Sequence, residues 1–310
     1  MKIVFFGTPN FSIPALQAII DSKYTLLSVV TNPDKKSGRG LTKSSSAIKT
    51  FCKQENIPCV SFDNFNDNQA SDYLKELNLD LIVVVAFKIL PEKIINIPKY
   101  GAINLHPSLL PKYRGSSPIQ QTILNGDSKT GVTIFKLDKK VDSGDIIIQE
   151  EYNVKDNVIF SELYSELSDF GAKVLLKGID LLDEKNIVFI KQEEGDISYA
   201  FKIQGKDCQI NWSDSAESIN NKIRAFTYTP GAFTFLDDKK IKFFNSNIIK
   251  AYDEKLKPGE CSFINETLLI GTNTDLVSIK NVQVEGKKII SAKDFSNSMF
   301  FHNNKIINFE

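Results

Sequence analysis

The sequence of this 310-residue chain predicts an α/β domain built on a doubly wound, mostly parallel sheet, followed by a smaller domain of mostly β structure. Three observations carry this prediction. Strand and helix signals alternate through the first half of the chain. The run "LDLIVVVAF" (79–87) is apolar at every position after Asp80, as expected of a strand buried on both faces. From Cys208 onward the pattern changes to short β-like segments separated by Asp, Asn and Gly turns.

Taken in order, "KIVFFG" reads as a first, fully apolar strand, and "SIPALQAIIDS" as a helix with Ser12 at its N-cap. "YTLLSVVT" is a second strand. The polar stretch "NPDKKSGRGLTKSS" reads as a basic, glycine-containing loop. "SAIKTFCKQENI" is helical, "CVSF" a short strand and "NQASDYLKELN" helical. After the apolar strand at 79–87, "PEKIINI" starts a helix with Pro91 at its first position, and "GAINLH" is the next strand. "GVTIFKLD" and "GDIIIQEEYNV" read as strands flanking the turn "KKVDSG". A long helix with apolar residues at helical spacing covers roughly residues 161–184. These signals divide the chain into a catalytic-type domain at 1–188, a linker at 189–207 and a β domain, an open barrel, at 208–310. That second domain opens with the short helix "SAESINNKIRAF".

Composition narrows the function classes. The chain is 42% hydrophobic and 25% charged, with zero formal net charge, so no global field draws it toward nucleic acid. A local basic loop can still do so. Nearly all the positive charge is lysine, which makes the three arginines, Arg39, Arg114 and Arg224, worth tracing. The four cysteines form no CxxC and read as reduced thiols, with no zinc site or disulfide framework. The N-terminal apolar run is too short for a signal segment and no run reaches membrane-spanning length, so the expected location is the cytoplasm. The first strand carries only Gly7, with Pro9 where a second glycine of GxGxxG would stand. There is no GxxxxGK[ST] either, so no dinucleotide or nucleotide cofactor is expected.

The chemistry concentrates at "AINLHPSLLPKYRGSSPIQ" (102–120). Side chains alternate along a strand, so Asn104 and His106 point to one side and Leu105 to the other. In a doubly wound sheet, ligands bind beyond the carboxyl ends of the strands, and both residues sit at such an end. Pro107 stops the strand and "SLLP" forms an apolar shelf. If the strand "GVTIFKLD" lies alongside, Asp142 in the following turn reaches His106. An amide, an imidazole and a carboxylate suit acyl-type transfer to an amine. The amide stabilises an oxyanion and the carboxylate orients the imidazole and its proton. The substrate supplies the nucleophile, so no serine or cysteine is needed. The same residues also serve elsewhere as plain loop caps and turn formers.

At these residues the sequence resembles the formyltransferase family that uses 10-formyltetrahydrofolate, and within it the branch acting on charged initiator tRNA. The matching stretches are "FFGTPNF" (5–11), "NPDKKSGRG" (32–40), "INLHPSLLPKYRGSSPIQ" (103–120), "TGVTIFKLDKKVDSGDII" (130–147) and "INWSDSAESINNKIRAF" (210–226). The resemblance covers nearly the whole chain in order and spacing. It implies a Rossmann-like catalytic domain, an OB-like β-barrel domain that helps hold tRNA, and a catalytic trio of Asn104, His106 and Asp142. It implies passage of a formyl group from 10-formyltetrahydrofolate to the α-amino group of methionine esterified to initiator tRNA, without a metal; the chain is expected to act as a monomer. Asn104, with protonated or hydrogen-bonding His106, would hold the oxyanion, and Asp142 would position His106 or a relay water. Ser108, Leu109, Leu110 and Pro111 match the segment lining the folate site, and Phe87 and Ile89 lie in a turn that would complete it. Here the sequence departs from the family: Phe87-Lys88-Ile89 lacks a glycine common in that turn, which is one residue shorter.

Relatives with a similar trio formylate sugar nucleotides, and the same fold could serve a non-catalytic tRNA or folate binder. The loop carrying Lys35, Lys36, Arg39 and Lys43 favours a role on an acceptor stem. Arg224 reads equally as a helix-surface ion pair or as a tRNA contact. Trp212 reads as a packing anchor, and Tyr113 and Arg114 as the rim of the site.

Overall fold

A computed structural model describes residues 1–37, 42–184, 187–250, 256–264, 266–297 and 307–309. The chain forms two compact units. The first comprises Met1–Pro118, Lys129–Asn153 and Tyr164–Ala200, and the second Ile119–Ser128, Val154–Leu163 and Phe201–Glu310.

The first unit is built on a seven-stranded sheet. Five strands run parallel: β1 (Lys2–Gly7), β2 (Thr25–Thr31), β5 (Cys59–Ser61), β6 (Leu81–Val85) and β7 (Ala102–His106). Between β2 and β5 the chain forms a small antiparallel hairpin, β3 (Lys35–Ser37) with β4 (Thr42–Ser44). This replaces part of the expected loop. Two further pieces complete the unit's β structure. The pair β8 (Arg114–Gly115) and β11 (Tyr199–Ala200) runs parallel. The strands β9 (Lys129–Lys136) and β10 (Ile146–Asn153) extend the main sheet by antiparallel pairing, giving the order β10-β9-β7-β6-β1-β2-β5. The order reverses between β1 and β6, so ligand space is expected beyond the carboxyl ends of β1, β6 and β7.

The strand β6 is buried at all five positions, as its apolar run requires. The helices α3 (Asn68–Glu76) and α4 (Glu92–Ile95) cover the face bearing Val4, Phe6, Ile82 and Val84. Ala70, Leu74, Ile94 and Ile95 pack there. The opposite face meets α6 (Phe160–Asp183), where Gly171 lies against Leu105 and Gly178 against Ile134 and Ile148. Helix α1 (Ile13–Ile20) follows β1 through a short 3-10 turn. Ser12 stands at its start but does not cap it: the backbone there is helical, and the buried hydroxyl donates instead to Val85 O (2.9 Å), tying this turn to the end of β6. The cap expected of Ser12 is thus corrected by a tertiary hydrogen bond. Helix α2 (Ala47–Gln54) does have a true cap, Ser46, whose hydroxyl accepts from Lys49 N. Pro91 stands one residue before α4, as its N-cap.

The second unit is an antiparallel, curled sheet. Its strands are β12 (Phe233–Leu236), β13 (Lys239–Ile249), β14 (Glu260–Ile264), β15 (Thr267–Gly271), β16 (Leu276–Val284), β17 (Ile289–Ser291) and β18 (Ile307–Asn308). Their order is β12-β13-β16-β15-β14-β18, with β17 on β16. This half-barrel carries α7 (Ala216–Phe226) and α8 (Ala292–Ser296), and all but the first residue of α5 (Pro118–Leu124) lies in one of the two segments contributed from earlier in the chain. Trp212 anchors the packing: its ring stacks on Phe309, meets Phe243 edge-on and donates its N–H to Thr234. A cavity of about 470 Å³ lies beside it, lined in part by Asn211, Pro258 and Phe309, and among the described residues no ionisable side chain lines it.

Candidate active site

Strand β7 delivers Asn104 and His106 to its carboxyl end, with Leu105 on the opposite face against α6, as alternation requires. Asn104 is half-buried, and among the described residues its amide makes no hydrogen bond. His106 is buried, 4% exposed, and its ring meets Phe135 of β9 edge-on. His106 Nε2 lies 2.9 Å from Tyr113 O. A carbonyl can only accept, so Nε2 carries the proton and donates it. The other nitrogen, Nδ1, stands 3.7 Å from Asp142 Oδ2. Burial pushes the His106 pKa below its ordinary value, against smaller upward pulls from Asp142 and the Tyr113 carbonyl. Burial thus favours the neutral ring, with Nδ1 turned toward a carboxylate.

Asp142 comes from the turn between β9 and β10, and its backbone is left-handed (φ 49°), a conformation Asp tolerates better than most residues. Its Oδ2 accepts a hydrogen bond from Gly115 N at 2.8 Å. Gly115 itself is required by close approach: a Cβ there would lie 2.5 Å from Ala200 O. Gly144, two residues past Asp142, is equally confined, since a Cβ would fall on the carbonyl of Lys136. The trio expected from sequence is thus assembled in one place, by a strand end, a turn and a glycine-dependent strand pairing.

The shelf "SLLP" is fixed by groups that sequence reading did not single out. The Thr133 hydroxyl on β9 donates to Ser108 O (2.7 Å) and accepts from Leu110 N (3.2 Å) and Gln149 Nε2 (2.8 Å). The Gln149 amide also donates to Leu110 O. Ser108 is fully buried and its hydroxyl donates to Lys112 O; Leu110 is buried against Phe135 and Ile146. Leu109 and Pro111 are half-buried. The short turn after β6 is bolted down by Lys88, whose ammonium donates to Phe62 O and Asp63 O and lies over the Phe65 ring. Phe87 packs edge-on against Phe6 and Phe65, while Ile89 is 76% exposed. Near the end of β1, the buried Thr8 hydroxyl makes no hydrogen bond among the described residues.

Other predicted residues fall elsewhere. Arg39 lies outside the described residues; Lys35, Lys36 and Lys43 belong to the hairpin β3–β4. Arg224, in the second unit, donates to Val158 O (2.9 Å) and Asn221 Oδ1 (2.5 Å). Its Nε is buried without a hydrogen-bond partner among the described residues, and burial lowers its pKa. Nη1 thus ties residues 154–163 to α7, while Nη2 is held within the helix by Asn221.

A family model described as "Formyl transferase" matches residues 1–179, and one described as "Formyl transferase, C-terminal domain" matches residues 202–299. The chain belongs to the formyl transferase family. The methionyl-tRNA formyltransferase of Thermodesulfovibrio yellowstonii is 39% identical over 294 residues, covering 94% of each chain. Among solved structures, methionyl-tRNA formyltransferase from Clostridium thermocellum superposes with a TM-score of 0.56 at 19% identity, over 94% of this chain and 99% of that one. WlaRD, a sugar 3N-formyl transferase solved in the presence of dTDP and 5-N-formyl-THF, gives a TM-score of 0.66 at 22% identity, over 93% and 99%. At these identities the two structures attest the fold. Among the described residues no helix is long and apolar enough to cross a membrane.

In ¹⁵N NMR of the folded protein, His106 should show the Nε2–H tautomer and titrate below about pH 6.5, the ordinary histidine value. Because the folded ring binds its proton more weakly than the unfolded one, stability should be full above about pH 6.5 and fall as pH drops toward the folded-state value. A midpoint at or above the ordinary value would contradict burial as the dominant cause. Thr133→Val, which keeps shape but removes the hydroxyl, should cost about 1–3 kcal/mol in urea unfolding; an unchanged midpoint would show that the shelf does not depend on it.

Proposed function

We infer that this protein transfers the formyl group of 10-formyltetrahydrofolate to the α-amino group of methionyl initiator tRNA, in support of translation initiation. The observation that carries the reading is the arrangement at the end of β7: an uncommitted Asn104 amide beside a buried His106, whose Nδ1 faces Asp142. The near full-length relatives named for that activity support it independently. The protein is read as a cytoplasmic monomer.

The folate is a co-substrate here, and the ends of β1 and β6 have chemistry that fits it. The Thr8 hydroxyl is a buried polar group without a described partner, and Ile89 offers exposed apolar surface. A flat ring with a hydrogen-bonding edge needs both. Leu109, Pro111 and the turn at Phe87–Ile89 would border it. Ser108 and Leu110 act from beneath, through the backbone they hold in place.

In the reaction the amine nitrogen bonds to the formyl carbon and the bond from that carbon to the folate nitrogen breaks. The amine gives up a proton and the folate nitrogen gains one. As the amine adds, negative charge gathers on the formyl oxygen. Asn104 is the donor placed to meet it. The neutral His106 has spent its one N–H on Tyr113, so it has none to offer that oxygen. Its Nδ1 is instead the atom free to take the amine's proton, directly or through a water. Asp142 then faces an imidazolium at 3.7 Å and stabilises it. The basic hairpin and the residues around Arg39 would contact the acceptor stem, whose phosphates attract such charge.

The test is a discharge assay with 10-formyltetrahydrofolate and charged initiator tRNA, which should yield formyl-methionyl-tRNA; transfer only to an amino-sugar nucleotide would sink the tRNA reading. Asn104→Ala should lower kcat by about 10²–10³-fold and His106→Ala by about 10²–10⁴-fold, with tRNA affinity little changed. Arg39→Ala should weaken the tRNA-dependent rate while folate binding is retained; loss of folate binding instead would reassign that loop.

A further inference from the structure

Residues 189–207 read from sequence as a linker, yet the part up to Ala200 belongs to the first unit and is fastened to its active site at both ends. Ile190 exchanges two backbone hydrogen bonds with Ile146, the first residue of β10 (2.8 and 3.0 Å). Ser198 accepts from Arg114 N through its carbonyl and from Tyr113 N through its hydroxyl, both at 2.9 Å. Ala200 accepts from Ser116 N and Ser117 N. Between these anchors the chain is mostly exposed, with one half-buried polar side chain among exposed neighbours: Gln192 stands between Lys191 and Glu193, both in solvent.

The Gln192 amide is fully used. Its Nε2 donates to Asp142 O (3.0 Å) and to Gly144 O (2.8 Å). Its Oε1 accepts from Arg114 Nε (3.0 Å) and Nη2 (2.7 Å). An amide has two donors and two acceptor sites, and all four are engaged. Arginine can only donate and the carbonyls can only accept, so one orientation of the amide satisfies the set. The contacts also meet on Asp142 from two sides. Gln192 holds its backbone carbonyl while Gly115 N holds its carboxylate. Both holds trace back to the short strand β8, through the side chain of Arg114 and the backbone of Gly115. Ser198 meanwhile holds Tyr113, whose carbonyl takes the His106 proton.

We propose that Gln192, clamped by Arg114, is a positioning residue that sets Asp142 against His106, so that the segment 190–200 is a working part of the catalytic apparatus. The inference rests on the reading of Asp142 and His106 given above. It gives Arg114 a task that its place beside the trio alone does not suggest. The guanidinium orients an amide, and the amide orients the catalytic turn. Displacement of a reacting group by about 1 Å can cost about 10²-fold in rate; Gly115 N fixes the Asp142 carboxylate, and Gln192 fixes the backbone that carries it.

Gln192→Glu on the full chain separates the roles. The carboxylate is isosteric and keeps the pairing with Arg114, but it presents no donor to the carbonyls of Asp142 and Gly144. In the discharge assay we expect kcat to fall by about 10²-fold, with KM for folate and tRNA within about threefold and an unchanged melting temperature. Gln192→Ala should behave alike. Arg114→Met added to Gln192→Glu should cause little further loss of kcat, because Arg114 acts through Gln192. Wild-type kcat in the two Gln192 variants, or a loss that follows a fall in melting temperature, overturns the proposal. So does a strictly additive double variant. A readout without turnover keeps this separate from the functional reading. The chain has two histidines, His106 and His302, so in ¹⁵N-histidine NMR at fixed pH the Nδ1 signal of His106 should move in Gln192→Ala while that of His302 stays. An unmoved His106 signal refutes the positioning role even if the protein proves to formylate something else. A moved signal supports it whatever the acceptor is.

Discussion

The hydrogen bond from His106 Nε2 to the Tyr113 carbonyl organises the site. A buried imidazole must place its single N–H, and here the backbone takes it. Once that proton is fixed, Nδ1 must face the other way, and what lies there is Asp142. The neutral ring, its orientation and the direction in which it can accept a proton all follow from one carbonyl. That carbonyl is in turn fixed by a chain path that runs from β7 over the shelf at Ser108–Pro111 and back to β8. Thr133 and Gln149 secure the path from below, because its backbone groups are buried and need partners.

The sheet supplies the rigid frame. The five parallel strands put the ends of β1, β6 and β7 side by side, and the antiparallel additions β9 and β10 bring the Asp142 turn across to His106. The register of β9 on β7 pairs His106 with Thr133 and Asn104 with Phe135. One strand therefore supports both the shelf and the ring. The Ser12–Val85 hydrogen bond joins the first turn to the end of β6, closing the floor at the point where strand order reverses.

Much of this was legible in the sequence for identifiable reasons. The strand β6 announces itself because burial on both faces leaves an unbroken apolar run. Asn104 and His106 could be assigned to one side because alternation is geometric, and Asp142 could be found because Val-Asp-Ser-Gly marks a turn after a strand. What the sequence hid was carried by backbone atoms and long-range side chains. The Tyr113 carbonyl is present in every residue type and leaves no trace in composition. Gln192 lies 78 residues from Arg114 in a stretch with no periodicity, so nothing local distinguishes it from an exposed glutamine. Ser12 was misread for the opposite reason: local capping chemistry was visible, but a tertiary acceptor 73 residues away won the hydroxyl. The contribution of residues 119–128 and 154–163 to the second unit was hidden likewise, since it rests on contacts such as Arg224 with Val158 and Asn221 with Leu124.

The tight pairing of Gly115 with Ala200 has a consequence for how this protein can be cut. A fragment ending where the long helix ends would look complete by its sheet and helices. It would nonetheless leave Arg114 pointing at nothing, strip the amide from the carbonyls of Asp142 and Gly144, and bare the backbone edge of β8. The hydrogen bonds that reach the site therefore extend to Ala200, past the end of the long helix.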